Sequence, residues 1–302
     1  MDLQPRSLTL NPAALNGLSE KLIASHHANN YTGAVKRLGA IRQQLAQLDW
    51  PSAPVFTING LKREELIAAN SAWLHELYFE SLGGDDSLPD SGLAVALARD
   101  FGSTDRWRAE FTALAKAMGG GSGWALLSWS TREARLVSHW AADHTHLLAR
   151  ATPLLALDMY EHAYHMDFGA RAAAYVDAFM QNIRWEEVAR RYGAAVEADA
   201  LPWSAPPKTV PDKVQLIDVR RAADYAKAAD RVAGAMWGNP AQLAEWSAEL
   251  DTSQPVLVYC VHGHDVSQSV ALALRARGFD ARYVAGGIEA CRAIGVALEA
   301  KE

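Results

Sequence analysis

The sequence predicts two folded units: a helical hairpin followed by an α+β region, and then a small α/β unit with a parallel sheet. Over about the first hundred residues, apolar side chains recur at three- and four-residue spacing, as in amphipathic helices. After the glycine-rich stretch 119–123, short apolar runs separated by a polar turn take over. Beyond residue 213, apolar strands alternate with helical stretches, which is typical of a parallel sheet. A chain of 302 residues is long for one hydrophobic core, since such cores stop growing near about 250–300 residues.

The elements of the first unit follow one another in a clear order. Helical periodicity runs from about residue 18 to 46 and again from 64 to 82, and the cluster Gly83-Gly84-Asp85-Asp86 ends the second helix. These two helices form the hairpin, which we assign to residues 1–85. The α+β region, assigned to 86–195, contains helices over 91–101 and 104–117, strands over 124–129, 134–140 and 153–157, and helices over 161–183 and 185–195.

A proline-rich stretch separates the two units. Residues 194–213 lose the helical periodicity and contain four prolines, which predicts an extended linker, placed at 196–211. The second unit then spans 212–302. Its expected strands lie at 214–218, 256–260 and 281–284.

Composition and charge disfavour several classes of protein. The net charge of −6 comes without a cluster of Lys and Arg, which argues against a nucleic-acid binder because neutralising phosphates needs such a cluster. No run of about 18 apolar residues predicts a membrane span, and the N-terminus lacks the regions of a signal peptide. The two cysteines, Cys260 and Cys291, are expected to stay reduced. We therefore expect a cytoplasmic protein without nucleic-acid or membrane partners.

Three histidines and one aspartate are the candidate metal ligands of the first unit. His26 lies on the apolar side of the first helix and His75 on that of the second, while Asp158 ends an apolar strand and His162 follows four residues later. Three imidazoles and a carboxylate suit a redox-active first-row metal, whereas structural zinc more often recruits thiolates. Spacing alone leaves a metal site and unrelated core or surface histidines equally open.

Five landmarks in order carry a resemblance to a known family. They are the spacing of the first helix from Leu18 to Leu38, AWLHELY at 72–78, the stretch from Phe101 to Phe111, GSGWA at 121–125 and DMYEHAY at 158–164. Over about residues 8–195 the chain thus resembles the iron/manganese superoxide dismutases, whose signature reads D-x-W-E-H-A-Y. The resemblance implies that His26, His75, Asp158 and His162 hold one iron or manganese ion per subunit.

The resemblance also implies a reaction and an assembly. The reaction converts superoxide to oxygen and hydrogen peroxide as the ion cycles between two oxidation states. In the family, Glu161 of one subunit reaches the ligand His162 of the other, which implies a homodimer or a tetramer built from it. The alternative is that Glu161 is a solvated carboxylate at a helix start.

Several positions around the ligands depart from the family pattern. The tyrosine that usually guards the substrate funnel falls at Ala34, a nearby histidine falls at Asn30, and its usual tyrosine partner from the other subunit falls at His165. Asn30 and His165 therefore resemble a coordinated exchange, with coincidence as the alternative. Tyr31 either directs its hydroxyl into the vacated funnel or packs in the core.

Other departures concern the group that hydrogen-bonds the metal-bound solvent. The family's glutamine is absent from its iron-type position, where Ser71 stands. Its manganese-type position falls within residues 142–146, where we favour His144. An alignment without a gap would give Asp143 instead, and the remaining alternative is that His144 lies in a plain surface loop. The signature tryptophan is Tyr160, which is able to hydrogen-bond. These changes bear on metal preference and rate more than on ligation.

Four segments of the second unit carry another resemblance. They are residues 216–220, Gly234-Ala235, residues 258–263 and residues 284–288. In this order they resemble rhodanese-type sulfurtransferase domains over about residues 209–302. The resemblance implies that Cys260 ends a strand in a cradle of backbone amides and holds a persulfide, exchanging sulfur with a small donor or acceptor. The alternative for Cys260 is a small buried apolar residue.

The loop that contains Cys260 also differs from the common form. Asp265 stands where a cation often closes the loop, and it would repel an anionic donor such as thiosulfate. His262 and His264 either restore positive potential when protonated or are solvated loop residues. Cys291 replaces a usual tryptophan, and we expect it to pack in the core.

Three functional hypotheses follow from these patterns. The leading one is a superoxide dismutase with an appended domain that handles sulfur or regulates the enzyme. In the second, persulfide transfer at Cys260 is the main activity and the metal domain is repurposed or inactive, as Ala34 and Asn30 suggest. In the third, the C-terminal domain only binds a partner, as Asp265 suggests.

Overall fold

The chain begins with the predicted helical hairpin. The computed structural model describes residues 3–207 and 213–301. The first arm consists of α1 (Glu20–Ser25), a π-helical segment (His26–Tyr31) and α2 (Thr32–Ala46), and it packs against α3 (Val55–Glu80). The arm starts at Ser19, whose hydroxyl accepts from the Leu22 amide at 3.1 Å. A π-helical turn inside a helix is uncommon and often marks a functional site.

Helix α3 starts nine residues before the predicted residue 64. Its first turn carries Val55 and Phe56, which are 81% and 76% exposed. Apolar residues on the solvent side break the pattern of one buried face, which explains why periodicity missed this turn.

The α+β region that follows has the predicted order of elements. A three-stranded antiparallel sheet has the strand order β2-β1-β3, with helices before and after it. The central strand is fully buried, and Trp124 pairs with Asp158 on one neighbour and with Ala141 on the other. The elements are α4 (Gly92–Phe101), α5 (Thr104–Ala117), β1 (Trp124–Ser130), β2 (Arg135–Ala141), β3 (Ala151–Asp158), α6 (His165–Phe168), α7 (Ala172–Met180) and α8 (Trp185–Ala200).

The predicted linker at 196–211 is wrong over its first half. Helix α8 continues to Ala200, because Val196 and Ala200 are fully buried and Asp199 accepts a hydrogen bond from the Trp129 indole at 2.7 Å. The strand β4 (Ser204–Ala205) then joins the second sheet. The last linker residues, 208–211, lie outside the described residues.

The C-terminal part is the predicted α/β unit. Its sheet has the order β4-β9-β8-β5-β7 with parallel pairing, and β6 and β10 form a separate antiparallel pair. After β4 the elements are β5 (Gln215–Asp218), α9 (Ala222–Lys227), β6 (Asp230–Val232), β7 (Met236–Trp237), α10 (Leu243–Trp246), β8 (Val256–Tyr259), α11 (Asp265–Ala276), β9 (Ala281–Val284), α12 (Gly287–Ala293) and β10 (Leu298–Ala300).

The two parts pack against each other through helix α11. This helix contacts α8 and α4 of the N-terminal part and β8 and β9 of its own sheet. Val270 and Leu274 are fully buried there, as is Tyr192 on α8. One hydrophobic core therefore continues from the first part into the second. Among the described residues, no helix has the length and apolar character needed to cross a membrane.

Candidate metal centre and cysteine loop

The four candidate ligands converge at one point in the N-terminal part. His26 opens the π-helical segment, His75 projects from α3, Asp158 ends β3, and His162 lies in the single turn Glu161–Ala163. One ligand atom from each lies within 4.8 Å of all the others. Residues far apart in sequence thus form one compact donor set.

The Asp158 carboxylate lies at the centre of this set. Its Oδ2 atom is 3.2 Å from His26 Nε2, 3.4 Å from His75 Nε2 and 3.1 Å from His162 Nε2. Three of the four side chains are at most 1% exposed, whereas that of His162 is 27% exposed. In the single chain, His162 is therefore the most accessible of the four ligands.

The electrostatics of the cluster fit a bound cation. Burial lowers the pKa of His26, and it lowers the pKa of His75 to about 3, so both rings are neutral. Burial alone would raise the pKa of Asp158, but hydrogen bonds from His162 and His26 outweigh it and hold that pKa below its usual range. Neutral imidazoles and a carboxylate are the protonation states that metal binding requires.

The His75 ring is also held in the tautomer that a metal needs. Its Nδ1 atom donates to the Ser71 carbonyl oxygen at 2.6 Å, which leaves the Nε2 lone pair free. The donor set of three imidazoles and one carboxylate, with no thiolate, fits an iron or manganese ion.

An aromatic group covers one side of the cluster. The Trp124 indole donates to His144 Nδ1 at 2.9 Å. The His144 ring stacks on Tyr160 with centroids 4.9 Å apart, and Tyr160 stacks on His162 at 5.4 Å. Burial lowers the pKa of His144, so the ring is neutral, and with Nδ1 accepting, its proton resides on Nε2.

The contacts distinguish between the two candidates for the solvent-binding position. The Asp143 carboxylate accepts from both the amide and the hydroxyl of Thr145 at 2.6 Å, within its own loop. His144 instead lies with its ring centroid 6.3 Å from that of His75. The geometry therefore favours His144 over Asp143.

Tyr31 does not direct its hydroxyl into a funnel. The side chain is 1% exposed, its hydroxyl donates to Glu76 at 2.8 Å, and it accepts from the Arg6 amide at 2.8 Å. Together the two bonds link the N-terminal segment through Tyr31 to α3, so the contacts favour the packing alternative. Near it, Ala34 is 9% exposed and Asn30 is half-buried.

The residues expected at a subunit contact lie on the surface of the single chain. Glu161 and His165 are exposed, as are the large apolar side chains of Trp73 and Met166, at 51% and 47%. Trp73 is close in sequence to His75, and Met166 to His162. Both large apolar side chains are thus exposed on segments that also carry candidate ligands.

The Cys260 loop connects β8 to α11. The thiol is 6% exposed, and its Sγ atom lies 3.2 Å from the Ser267 hydroxyl oxygen. The carbonyls of Cys260 and Val261 accept from the amides of Ile288 and Glu289 at 2.9 and 3.3 Å. The loop is thus fastened to the first turn of α12.

Two glycines make this close contact possible. Gly263 and Gly287 have positive φ angles of 72° and 59°. A Cβ atom on Gly287 would lie 2.5 Å from the Cys260 carbonyl oxygen, and one on Gly263 would lie 2.5 Å from the Gly286 nitrogen. Larger residues at either position would push the cysteine loop away.

The remaining predicted residues of the loop have different surroundings. His262 pairs with Glu289 at 3.0 Å in an exposed position, and His264 is exposed. Asp265 lines a cavity with Cys260. Cys291 is 4% exposed in the apolar core, where burial raises the pKa of its thiol, in agreement with packing. Neither cysteine forms a disulfide.

Sequence reasoning missed the role of Trp124 as the partner of His144. In the sequence, Trp124 is marked only by its place in the GSGWA landmark at 121–125. The functional contact became visible through the pairing of Trp124 with Asp158, which places the indole beside the cluster.

Both parts of the chain are similar to known protein families. The family model "Iron/manganese superoxide dismutases, C-terminal domain" matches residues 89–191, and the model "Rhodanese-like domain" matches residues 208–293. A "Superoxide dismutase [Fe]" of Cupriavidus metallidurans is 66% identical over 191 residues, which cover 63% of this chain and 96% of that protein.

More distant relatives cover a similar share of the chain. A "Superoxide dismutase [Mn] 2" of Haloferax volcanii is 33% identical, covering 60% of this chain and 89% of that protein. A "Superoxide dismutase [Fe]" of Aquifex aeolicus is 32% identical, covering 65% and 93%. The chain therefore belongs to the iron/manganese superoxide dismutase family, is an oxidoreductase that dismutes superoxide, and carries a rhodanese-like domain after its dismutase part.

Proposed function

We propose that His26, His75, Asp158 and His162 hold one iron ion per subunit and that superoxide dismutation takes place beside them. The observation that carries the proposal is the convergence of three Nε2 atoms on the buried Asp158 carboxylate. The name of the 66% identical relative favours iron, while manganese is the alternative because relatives at 33% identity are named for it. When bound, the ion supplies the one-electron couple that oxidises one superoxide to oxygen and reduces the next to hydrogen peroxide.

The protein's own groups orient the reaction. The burial of His26, His75 and Asp158 excludes bulk water from three of the four ligands. Trp124 holds the His144 proton on Nε2, so that this atom serves as a fixed hydrogen-bond donor near the ligands. Burial raises the pKa of Tyr160 to about 12, so the ring that stacks between His144 and His162 stays neutral.

Metal analysis together with a superoxide assay tests this proposal. Reconstitution of the full chain with iron or with manganese should give one ion per subunit and activity with at least one of the metals. The variant His75→Ala should lose both the ion and the activity, whereas His146→Ala, on an exposed loop position, should keep both. A metal-replete wild type that does not dismute superoxide would overturn the proposal.

The surface beside the cluster supports a homodimer. We propose that Glu161 and His165 contact the other subunit, together with the exposed Trp73 and Met166, and that Glu161 reaches the partner's metal ligand. Asn30 then faces the partner's copy of His165. Sedimentation of the wild type and of Glu161→Ala tests the assembly, since a monomeric wild type would refute it.

A second activity is favoured by the cavity beside Cys260. We propose that this thiol carries a sulfane sulfur, since it lines a cavity of 310 Å³ on a loop held by backbone hydrogen bonds. Cyanide-detectable sulfur should appear on the wild type after exposure to a sulfur donor and be absent from Cys260→Ser. Its absence from the wild type would favour a binding module.

Two general properties complete the proposal. The two thiols are unpaired, which suits a reducing compartment, and we propose that the protein acts in the cytoplasm. We also propose that the dismutase domain comprises the hairpin and the α+β region through α8, and that the rhodanese-like domain begins near the parallel sheet.

A further inference from the structure

The cavity over Cys260 has walls from both parts of the chain. It measures 310 Å³ and is lined by the cysteine loop, by residues 220, 221 and 224 after β5, and by Ser91 and Gly92 at the start of α4. Helix α4 belongs to the dismutase part. The dismutase part therefore contributes directly to the surroundings of the cysteine.

The two parts of the chain are in close contact at Gly92. A Cβ atom at Gly92 would lie only 2.1 Å from Asp265 Oδ2, so the carboxylate abuts the bare glycine backbone. On the rim, Arg221 Nη1 lies 2.9 Å from the Asp90 carboxylate. A glycine and an ion pair thus fix the start of α4 against the mouth of the cavity.

The wall is held in place by a larger interface. Helix α11, which begins at Asp265, packs against α8 and α4, and its residues Val270 and Leu274 are fully buried. Burial of such apolar side chains stabilises the folded state. The wall is consequently part of the folded core and is present in the resting protein.

Each basic side chain that lines the cavity has a carboxylate beside it; for His262 this is Glu289 at 3.0 Å, and His264 directly precedes Asp265 in the chain. Arg221 lies between two carboxylates, Asp90 at 2.9 Å and Asp224 at 2.8 Å, and the buried Arg220 is paired with Asp218 at 2.6 Å. Asp265 adds a further carboxylate to the lining, and its Oδ1 accepts from the Val266 amide at 3.1 Å. A dianion that entered the cavity would find the guanidiniums already neutralised.

We propose that the dismutase part forms a permanent wall of the cysteine site, and that Ser91, Gly92 and Asp265 restrict it to small uncharged thiols, hydrogen sulfide included, as sulfur acceptors. This inference rests on the proposed sulfur chemistry of Cys260. In the transfer, the acceptor sulfur bonds to the terminal sulfur of the Cys260 persulfide, the S–S bond to Cys260 breaks, and the acceptor's proton passes to the Cys260 sulfur. Electrons are conserved, so the step needs neither oxidant nor reductant.

Alkylation of Cys260 in the metal-loaded full chain tests the wall without any sulfur donor. Neutral iodoacetamide is the probe, and peptide mass analysis separates Cys260 from Cys291. The variant Ser91→Phe fills the cavity and should slow alkylation about tenfold, which corresponds to roughly 1.4 kcal/mol in the barrier. Alkylation at the wild-type rate would overturn the inference.

A matched control separates filling of the cavity from loss of a helix cap. Ser91 caps α4 by accepting from the Ala94 amide at 3.3 Å, and Ser103 caps α5 by accepting from the Arg106 amide at 3.0 Å. The variant Ser103→Phe therefore loses an equivalent hydrogen bond outside the cavity. It should be alkylated at the wild-type rate, and equal slowing in both variants would assign the effect to the cap and refute the wall.

A pair of probes of similar size but different charge tests the selection of uncharged molecules. Iodoacetate is anionic, so its rate relative to iodoacetamide should be lower at Cys260 than at a free thiol. The variant Asp265→Asn should raise that ratio severalfold, whereas Asp280→Asn, an exposed carboxylate beyond the other end of α11, should not. An unchanged ratio in Asp265→Asn would overturn the charge argument.

The sulfur chemistry of Cys260 and the wall of its cavity can each be refuted without the other. If the wild type carries no cyanide-detectable sulfur but the alkylation results hold, the sulfur chemistry is refuted and the composite cavity stands. If sulfur is found on Cys260 and Ser91→Phe has no effect, the wall is refuted and the sulfur chemistry stands.

Discussion

Replacing Trp124 by phenylalanine should uncouple His144 from the metal cluster while keeping an aromatic core. The indole is fully buried, donates to His144 Nδ1 at 2.9 Å, and lies edge-on to the His75 ring at 5.2 Å. Phenylalanine retains most of the packing but has no N–H group. The His144 ring then loses the bond that keeps its proton on Nε2.

The expected loss of stability has two parts. The missing hydrogen bond costs about 1 kcal/mol. The roughly 40 Å³ vacated by the smaller ring costs about 1 kcal/mol more, at ~24 cal/mol per Å³. The free energy of unfolding should therefore fall by about 2 kcal/mol, and superoxide dismutase activity per bound ion by roughly 10–100-fold, as for other hydrogen-bonding groups that surround the ligands of a metal site.

Urea unfolding and a superoxide assay normalised to bound metal measure the two effects. The matched control is Trp129→Phe, on the same buried strand, where the indole donates to Asp199 at 2.7 Å. This variant loses a similar bond and a similar volume away from the cluster. It should be destabilised to a similar extent and keep its activity per ion.

A double-mutant cycle with His144→Ala decides whether the hydrogen bond carries the effect. If the bond is real, the stability losses of Trp124→Phe and His144→Ala should overlap by about 1 kcal/mol in the double variant. Additive losses, or equal activity per ion in Trp124→Phe and Trp129→Phe, would refute the reasoning.

Three further predictions address assembly, pH and the buried ion pair. Glu161→Ala should weaken self-association in sedimentation experiments at low concentration, whereas Glu133→Ala, in an exposed turn, should not; equal behaviour would contradict the proposed contact. In the metal-free chain, burial lowers the pKa of His75 to about 3, below the value of about 6.5 expected for an unfolded chain. As the pH falls below about 6.5, the unfolded state then binds more protons than the folded state, so the free energy of unfolding should decline by up to about 1.4 kcal/mol per pH unit. An equal urea midpoint at pH 7 and pH 5 would contradict this prediction. Asp100→Asn should lower the unfolding free energy by about 3–5 kcal/mol in urea titrations, because the Arg99 guanidinium, whose side chain is 2% exposed, then lacks its carboxylate partner. A loss below about 1 kcal/mol would show that the pair is solvated.

The fold class was predictable because its signals are local. Helical periodicity, the glycine-rich stretch 119–123 and the short apolar strands each report on the residues beside them, and the structure confirms the helical hairpin, the α+β region and the parallel sheet. The stretch 196–205 was not predictable in this way. The prolines at 202, 206, 207 and 211 suggested a linker, but Val196 and Ala200 are held in helix α8 by burial against residues distant in sequence.

The candidate metal ligands were predictable from family motifs, whereas their surroundings were not. The motifs name His75 and Asp158, and the structure brings them within 3.4 Å of each other. The choice between His144 and Asp143 depended on which side chain a flanking loop turns inward, and the sequence contains no period or spacing that reports this. Only the contacts with Trp124 and Tyr160 distinguish them.

The packing of the two parts against each other is only partly readable in the sequence, because the apolar run 270–274 of helix α11 indicates burial but the residues before it are polar. Helix α11 buries Ser267, Gln268 and Ser269, which a binary pattern of polar and apolar residues would assign to a solvated face. Their side chains instead bond nearby backbone carbonyls, those of His264, Gly263 and Val266, so they need no water. A helix whose polar groups are satisfied locally can be covered by a second domain at little cost. That local satisfaction lets α8 and α4 pack over α11, and it thereby places Gly92 of the dismutase part against the cavity that contains Cys260.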